Sequence, residues 1–252
     1  MNVALILITS FLAGVTNAVA GGGTFFTFPA LTGWGHLSEK VANMTSTIGL
    51  WPGSAASVVA ARPEFKRLPR AMTIAFVIIS LLGGVAGAIL LRVTSQHAFK
   101  LLVPWLLAFA TIVFGFSKPI ARWAGRQHGH RSLGWTIVVA LIQLLVAIYG
   151  GYFGAGIGIL MLAGLAFAGL DDIHQMNALK VLLQTTINGV ASIIFLFDRV
   201  DWTLALPMAV LSALGGFIGI RVARRAPQTL VRAFILVVGI GLTVVYFVKT
   251  YA

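Results

Sequence analysis

The sequence predicts an all-α polytopic membrane protein made of two homologous, inverted repeats. Three observations predict it. Of its 252 residues 59% are hydrophobic and only 10% charged, with a mean hydropathy of +0.97; a soluble domain carries about 25% charged residues. Apolar runs of about 20 residues recur along nearly the whole chain, the length a bilayer-spanning helix needs. Two glycine clusters and their flanks recur at a nearly constant spacing. Segments such as 71–91, AMTIAFVIISLLGGVAGAILL, do not alternate apolar and polar residues, so they read as helices and not as barrel strands.

The apolar segments fall at 3–20, 24–33, 42–61, 71–91, 98–117, 133–153, 157–170, 176–197, 202–220 and 229–248. The first two form one stretch interrupted by Gly21, Gly22 and Gly23, and the stretch 133–170 is interrupted by GGYFGAGIG at 150–158. Counting each broken stretch once leaves about six full spans plus two glycine-broken or re-entrant segments, or eight hydrophobic segments in all. The longest polar break, SKPIARWAGRQHGHRS at 117–132, divides the chain into repeat 1 (1–116), a basic cytoplasmic linker (117–132) and repeat 2 (133–252).

The halves match in three places in the same order. Asn43 aligns with Asn177 at an offset of 134, and the first glycine cluster aligns with Gly154–Gly158 at the same offset. Gly83, Gly84, Gly87 and Arg92 align with Gly215, Gly216, Gly219 and Arg224 at an offset of 132.

Charge arbitrates how each repeat crosses. If both broken stretches enter and leave on one face, Arg62, Lys66, Arg67, Arg70, Lys118, Arg122, Arg126, Arg131, Arg221, Arg224, Arg225 and Arg232 share one side, against Lys40, Arg92, Lys100, Arg199 and Lys249. Full crossings would divide them ten against seven. The positive-inside rule favours the first arrangement, with three full spans per repeat and both termini outside. The net charge of +12 then sets topology and does not signal nucleic acid, since no soluble domain remains to bind it.

Ala18 and Ala20 resemble the small residues before a signal-peptidase cut. The n-region is only Met-Asn, without Lys or Arg, and the equivalent glycines recur deep in the chain; the stretch reads as an uncleaved helix break. Adjacent glycines destabilise a helix by about 1 kcal/mol each relative to alanine. The spaced glycines at 83, 84, 87, 215, 216 and 219 suit close helix packing instead. A break inside the bilayer is tolerated where the freed backbone lines a cavity or is buried in protein. It creates a helix N-terminus whose free N–H groups and positive dipole end favour anions. Two such ends, beginning near Thr24 and Gly158, meeting near the midplane are the expected geometry of a secondary-transporter site.

Polar residues beside the breaks complete the candidate substrate site: Asn17, Gly21, Gly22, Gly23, Thr24, Asn43, Thr47, Gly154, Gly156, Gly158, Asn177, Lys180 and Asn188. Asn43 and Thr47 share a helix face, as do Asn177, Lys180 and Gln184. For any one of them, helix-to-helix hydrogen bonding competes with ligand contact. Lys180 has two readings: snorkelling to the nearer surface, or a positive charge beside an anion path. All six acids and all five histidines fall in or near loops or at span ends, and there is no cysteine. The sequence therefore predicts no catalytic group, no metal site and no cofactor, and not an enzyme.

The stretches AGVTNAVAGGGTFFTFPAL (13–31), ANMTSTIGLWPGSAAS (42–57), GGYFGAGIGILML (150–162), MNALKVLLQTTIN (176–188) and DWTLALPMAVLSALGGFIGIRVARR (201–225) resemble the sulfite exporter TauE/SafE family, also called the toluene-sulfonate uptake permease family. The resemblance covers nearly the whole chain. It implies a multi-pass permease of the bacterial inner membrane for a small anionic solute: sulfite, sulfonates or related sulfur-containing anions. An anion channel of the same fold and a non-transporting assembly subunit are the alternatives.

Overall fold

Glycine, proline and polar clusters cut the apolar sequence into helices close to the expected bounds. The computed structural model describes residues 2–125, 133–170, 172–223 and 228–251. Its helices are α1 (Val3–Val19), α2 (Thr24–Gly33), α3 (Glu39–Ala60), α4 (Arg62–Phe65), α5 (Arg70–Val93), α6 (Gln96–Gly125), α7 (Leu133–Tyr152), α8 (Ile157–Phe167), α9 (Ile173–Phe195), α10 (Trp202–Ala223) and α11 (Gln228–Tyr251), and the described residues contain no strand. Short polar caps set several starts. The Asp172 carboxylate accepts from the His174 and Gln175 N–H groups at the head of α9, and Asp201 accepts from Leu204 at the head of α10.

Among the described residues, five helices are long and apolar enough to cross a membrane: 70–93, 96–113, 133–152, 173–195 and 202–221. This set differs in composition from the expected six. α3 is 22 residues long but carries Asn43, Thr45, Ser46, Thr47, Ser54 and Ser57, and α11 is 24 residues long, with side chains described continuously only from 236 to 251. α7, expected to be one arm of a broken stretch, reaches span length by itself. α6 continues through Gly125, so the first part of the linker segment is helical; residues 126–132 lie outside the described residues.

Contacts fix the direction of each helix. α3 and α9 are antiparallel: the Thr45 hydroxyl accepts from the Asp201 N–H just beyond α9, Trp51 lies against Gly189, and Ala61 shares a cluster with Ala178. α6 and α11 are antiparallel as well. Trp105 Nε1 donates to the Tyr251 hydroxyl at one end, and Gly239 lies against Thr111 further along. α1 runs parallel to α10, because Gly14 abuts Ser212 and Gly216 while Gly219 abuts Val15 and Ala18. α5 runs parallel to α7, because Gly83 abuts Leu144 and Ala147 while Gly87 abuts Ile148 and Tyr152.

The bundle thus has a Lys40 end and an Arg67 end. Lys40 Nζ donates to the Arg92 and Thr94 carbonyls where α5 finishes, and Gln96, opening α6, donates to Glu39. At the Arg67 end, α4 and the start of α9 lie together around Pro63, Glu64, Arg67, Asp172 and His174. α7 starts at this end and α8 returns to it, since Trp135 Nε1 donates to the Phe167 carbonyl at 3.1 Å. The α7–α8 segment therefore enters and leaves on one face. α1 and α2 form the opposed hairpin: α1 starts at the Lys40 end, as α10 does, and five residues join α2 to the start of α3 there.

The principal contacts pair up when α1, α2, α3, α5 and α6 trade places with α7, α8, α9, α10 and α11. α1 on α10 answers α7 on α5, α3 on α10 answers α9 on α5, and α2 on α11 answers α8 on α6. Glycine makes the closest approaches: a Cβ on Gly53 would fall 2.6 Å from the Ser212 carbonyl oxygen, and one on Gly151 would fall 3.0 Å from the Gly84 Cα. The spaced glycines are packing residues, as their spacing predicts.

Candidate functional site

Each hairpin turns on glycine in left-handed conformation: Gly21 at φ +81° in the first, Gly154 at +76° and Gly156 at +71° in the second. Side chains with a Cβ rarely adopt these values. The Ala20 and Gly21 N–H groups both donate to the Thr16 carbonyl, ending α1, and the Phe153 and Gly154 N–H groups both donate to Tyr149, ending α7. Gly150 and Gly151, expected to belong to the second break, lie inside α7, where Gly151 packs on Gly84.

The hairpin tips come from opposite ends and pass each other. A Cβ on Gly158 would fall 2.5 Å from the Gly21 Cα, and one on Gly156 would touch the Phe25 ring at 3.4 Å. Phe28 packs edge-on against Phe153 with ring centroids 5.4 Å apart. The first turns of α2 and α8 therefore lie side by side.

Helix starts leave donors without intrahelical partners. In α2 the Gly23 N–H is taken by Asn17 Oδ1 at 2.7 Å, and Phe25, Phe26 and Thr27 donate to Gly22 or Gly23. The Gly22 and Thr24 N–H groups have no acceptor among the described residues. In α8, Ile157 donates to Gly154, and Ile159 and Leu160 donate to Gly156. The Ala155, Gly156 and Gly158 N–H groups have no acceptor there. Gly22 and Gly156, like Thr24 and Gly158, stand 134 residues apart. Two matching pairs of unpaired donors lie at the starts of the two adjoining half-helices.

The ends of the long arms are closed by side chains of the other half. Asn43 Nδ2 donates to the Tyr152 carbonyl at 3.0 Å, at the end of α7. Lys180 Nζ donates to the Asn17 and Ala18 carbonyls, both at 3.0 Å, at the end of α1. Ala18 and Tyr152 are again 134 residues apart. Basic side chains suit a helix C-terminus, whose carbonyls carry partial negative charge. Lys180 is 0% exposed, so it does not snorkel. No carboxylate pairs with it among the described residues, where the ion pair is Arg92–Asp198.

The remaining candidates separate. Antiparallel packing puts Asn43 toward the Lys40 end and Asn177 toward the Arg67 end, on the order of 25–30 Å apart along the helices at 1.5 Å per residue. They do not converge on one ligand, as the expectation of a single cluster required. Asn43 Oδ1 and Asn177 Oδ1 are both buried without a partner among the described residues. The Thr47 hydroxyl donates to the Asn43 carbonyl at 2.9 Å, which occupies the proton it was expected to offer a ligand. Asn188, 7% exposed, stands at the level of Trp51 between the two groups. Sequence reasoning misses Tyr152 and the Asn17–Ala18 carbonyls; the repeat offset linking Ala18 to Tyr152 is the signal that could find them.

The described basic residues divide as expected. Arg62, Lys66, Arg67, Arg70 and Arg221 lie at the Arg67 end, and Lys40, Arg92, Lys100, Arg199 and Lys249 at the other. The side chains of Lys118, Arg122 and Arg232, and residues Arg126, Arg131, Arg224 and Arg225, lie outside the described set.

Comparison with known proteins agrees with a transporter architecture. Residues 6–246 match the family described as "Sulfite exporter TauE/SafE". The chain is 25% identical over 242 residues to "Probable membrane transporter protein ORF9" of Sinorhizobium sp, covering 96% of this chain and 90% of that protein. It is 25% identical to a "Probable membrane transporter protein" of Haemophilus influenzae, over 95% of this chain and 92% of the relative. It is 24% identical to "Probable membrane transporter protein YfcA" of Escherichia coli K12, over 93% and 85%. No solved structure matches the chain.

Proposed function

Because the chain belongs to the TauE/SafE sulfite exporter family and is a multi-pass membrane transporter, we propose that it carries small anions, sulfite or sulfonates above all, by alternating access. The observation that carries this is the junction of the two half-helices. Five N–H groups without an acceptor among the described residues, at Gly22, Thr24, Ala155, Gly156 and Gly158, lie at two helix starts that meet side by side. Each start presents partial positive charge, and an oxyanion supplies the acceptors that the donors lack. Lys180 adds an amine beside Gly158: a Cβ on that glycine would fall 3.1 Å from the lysine Cδ. An anion beside this buried amine would favour its charged form, and the charged form would in turn favour the anion.

The two opposed hairpins and the matched contacts support inverted repeats, 1–116 and 133–252, joined by 117–132. Side chains bridge the halves at both ends of the bundle, which favours a carrier over an open pore. The twelve basic residues that the sequence assigns to the side of Arg67, against five on the other, would orient that end to the cytoplasm of a bacterial inner membrane.

The test is flux. Purified protein in liposomes should take up labelled sulfite or a small sulfonate saturably and with counter-flow, and the anion should raise the thermal stability of the detergent-solubilised protein. Absence of both for sulfite, thiosulfate, sulfonates and small carboxylates refutes the reading. Flux far above carrier turnover assigns a channel.

A further inference from the structure

The packing does not follow the two halves of the sequence. α1, α3 and α10 form one glycine-packed bundle: Ser212 Oγ donates to the Gly49 carbonyl at 2.6 Å, and Ser57 Oγ donates to the Gly216 carbonyl at 3.1 Å. α5, α7 and α9 form the other, with Gln143 Nε2 donating to Ser80 Oγ at 2.8 Å and Gly84 against Ile187. Each bundle takes one helix from the opposite half. Backbones nearly touch within each bundle.

The seam between the bundles is held differently. In its middle the hairpin tips touch at Gly21 and Gly158. Near its ends the polar links run from side chain to carbonyl. Asn43 crosses to Tyr152 toward the Lys40 end, where Lys40 also crosses to Arg92 and Thr94. Lys180 crosses to Asn17 and Ala18 toward the Arg67 end, beside the small-residue cluster of Ala18, Ala61, Ala178, Val181 and Ile220.

We infer that Asn43 and Lys180 are matched positioning residues that latch the two mixed bundles, one toward each end of the seam, and that transport releases one latch while the other holds. The inference rests on the alternating-access reading. The moving bodies are then α1–α3 with α10 and α5 with α7–α9, and not residues 1–116 and 133–252. Each latch binds the last carbonyls of a long arm, so it also sets where the following half-helix start sits. The latches are unequal. Asn43 gives one hydrogen bond to one carbonyl, whereas Lys180 gives two, to the Asn17 and Ala18 carbonyls.

The chain has no cysteine, so single reporter cysteines can be placed without removing any. Ala191 and Ala178 both lie on α9, at 0% and 1% exposure. Ala191 is in the cluster with Met44, Ile48 and Tyr152, and Ala178 is in the cluster with Ala18 and Ala61. In solubilised full-length protein without any anion, Asn43→Leu should speed maleimide labelling of Ala191→Cys by roughly tenfold, the effect of losing a buried hydrogen bond, and leave Ala178→Cys unchanged. Lys180→Met should do the converse by at least as much, and Lys180→Arg, which keeps the donors, should restore slow labelling. If Lys180→Met does not fold, Lys180→Gln is read in the same way with a smaller rise. No change at either reporter, or equal acceleration at both, overturns the inference. Labelling needs no substrate, so its failure is separable from failure of the flux experiment.

Discussion

Replacing Gly21 with alanine tests the hairpin junction most directly. Gly21 has φ +81° and its added Cβ would overlap the Gly158 backbone, 2.7 Å from the nitrogen. A left-handed conformation costs an L-residue about 1–2 kcal/mol. Forcing a methyl into a packed site costs about 1–3 kcal/mol more. The sum is roughly 2–5 kcal/mol, which for a chain of this size lowers the melting temperature by roughly 5–15 °C. Two controls separate the contributions. Gly169 has φ +82° with nothing within 4 Å of its Cβ, so Gly169→Ala carries the conformational cost alone. Gly158 lies inside α8, so Gly158→Ala carries the overlap alone. Melting of the solubilised protein should rank Gly21→Ala as the most destabilised of the three. The double variant should cost less than the sum, because backbones parted for one methyl make room for the other. Anion affinity should fall with Gly21→Ala and Gly158→Ala and hold with Gly169→Ala. Equal melting of Gly21→Ala and Gly169→Ala would refute the close contact, and with it the side-by-side helix starts.

Three further outcomes follow from the same geometry. Asn17→Ala removes the acceptor for the Gly23 N–H and should cost about 1 kcal/mol, as loss of an N-cap does; Asn17→Asp keeps an acceptor and should recover stability, yet bind anions more weakly because it places negative charge at the junction. A Cβ on Gly49 would fall 3.0 Å from the Met208 Cβ, so cysteines at these two positions should form a disulfide inside one bundle that leaves flux intact, although it ties the two sequence halves together; blocked flux after oxidation, restored by reduction, would contradict the mixed bundles. The His174 N–H holds the Asp172 carboxyl below the usual carboxylate range, so its contribution to stability is full above an unfolded value of about 3.9 and is lost as pH falls through the lower folded value. Melting between about pH 5 and pH 2.5 should therefore show a loss in the wild type that Asp172→Asn lacks.

Much of this fold was legible because a bilayer makes sequence contrast unusually strong. The helix bounds fall close to the apolar runs, since a polar residue in hydrocarbon is costly and a glycine cluster ends a helix locally. Both breaks, the spaced packing glycines and the opposed hairpins could be read from local chemistry, composition and charge. What could not be read was long-range pairing. Asn43 and Asn177 align in sequence, but inversion puts aligned residues at opposite ends of antiparallel helices, so alignment spreads them apart instead of gathering them. Lys180 reads equally well as a snorkelling side chain because nothing local marks the α1 carbonyls as its partners. Gly150 and Gly151 look like part of a break, yet in that cluster only Gly154 and Gly156 take left-handed φ; composition does not say which glycine of a cluster turns the chain.

The unequal latches sharpen the argument about charge. At two positions related by the offset of the halves, one carbonyl is capped by an amide and the other by an ammonium. A helix end stabilises a partly buried cation by up to about 2 kcal/mol. Taking an ammonium out of water costs several kcal/mol even after relaxation. Carbonyl capping alone therefore leaves Lys180 under-compensated, whereas an asparagine there would satisfy one carbonyl with no charge to compensate. The lysine makes energetic sense if a negative charge joins it for part of the cycle. On the proposed function that charge would sit by the donors left unpaired at Gly22, Thr24, Gly156 and Gly158, of which Gly158 lies beside Lys180, and would be held by backbone groups that no side-chain substitution removes. On this reading Lys180 links occupancy to gating. An anion at the junction competes with the α1 carbonyls for the same ammonium, so binding weakens the latch toward the Arg67 end while leaving Asn43 untouched.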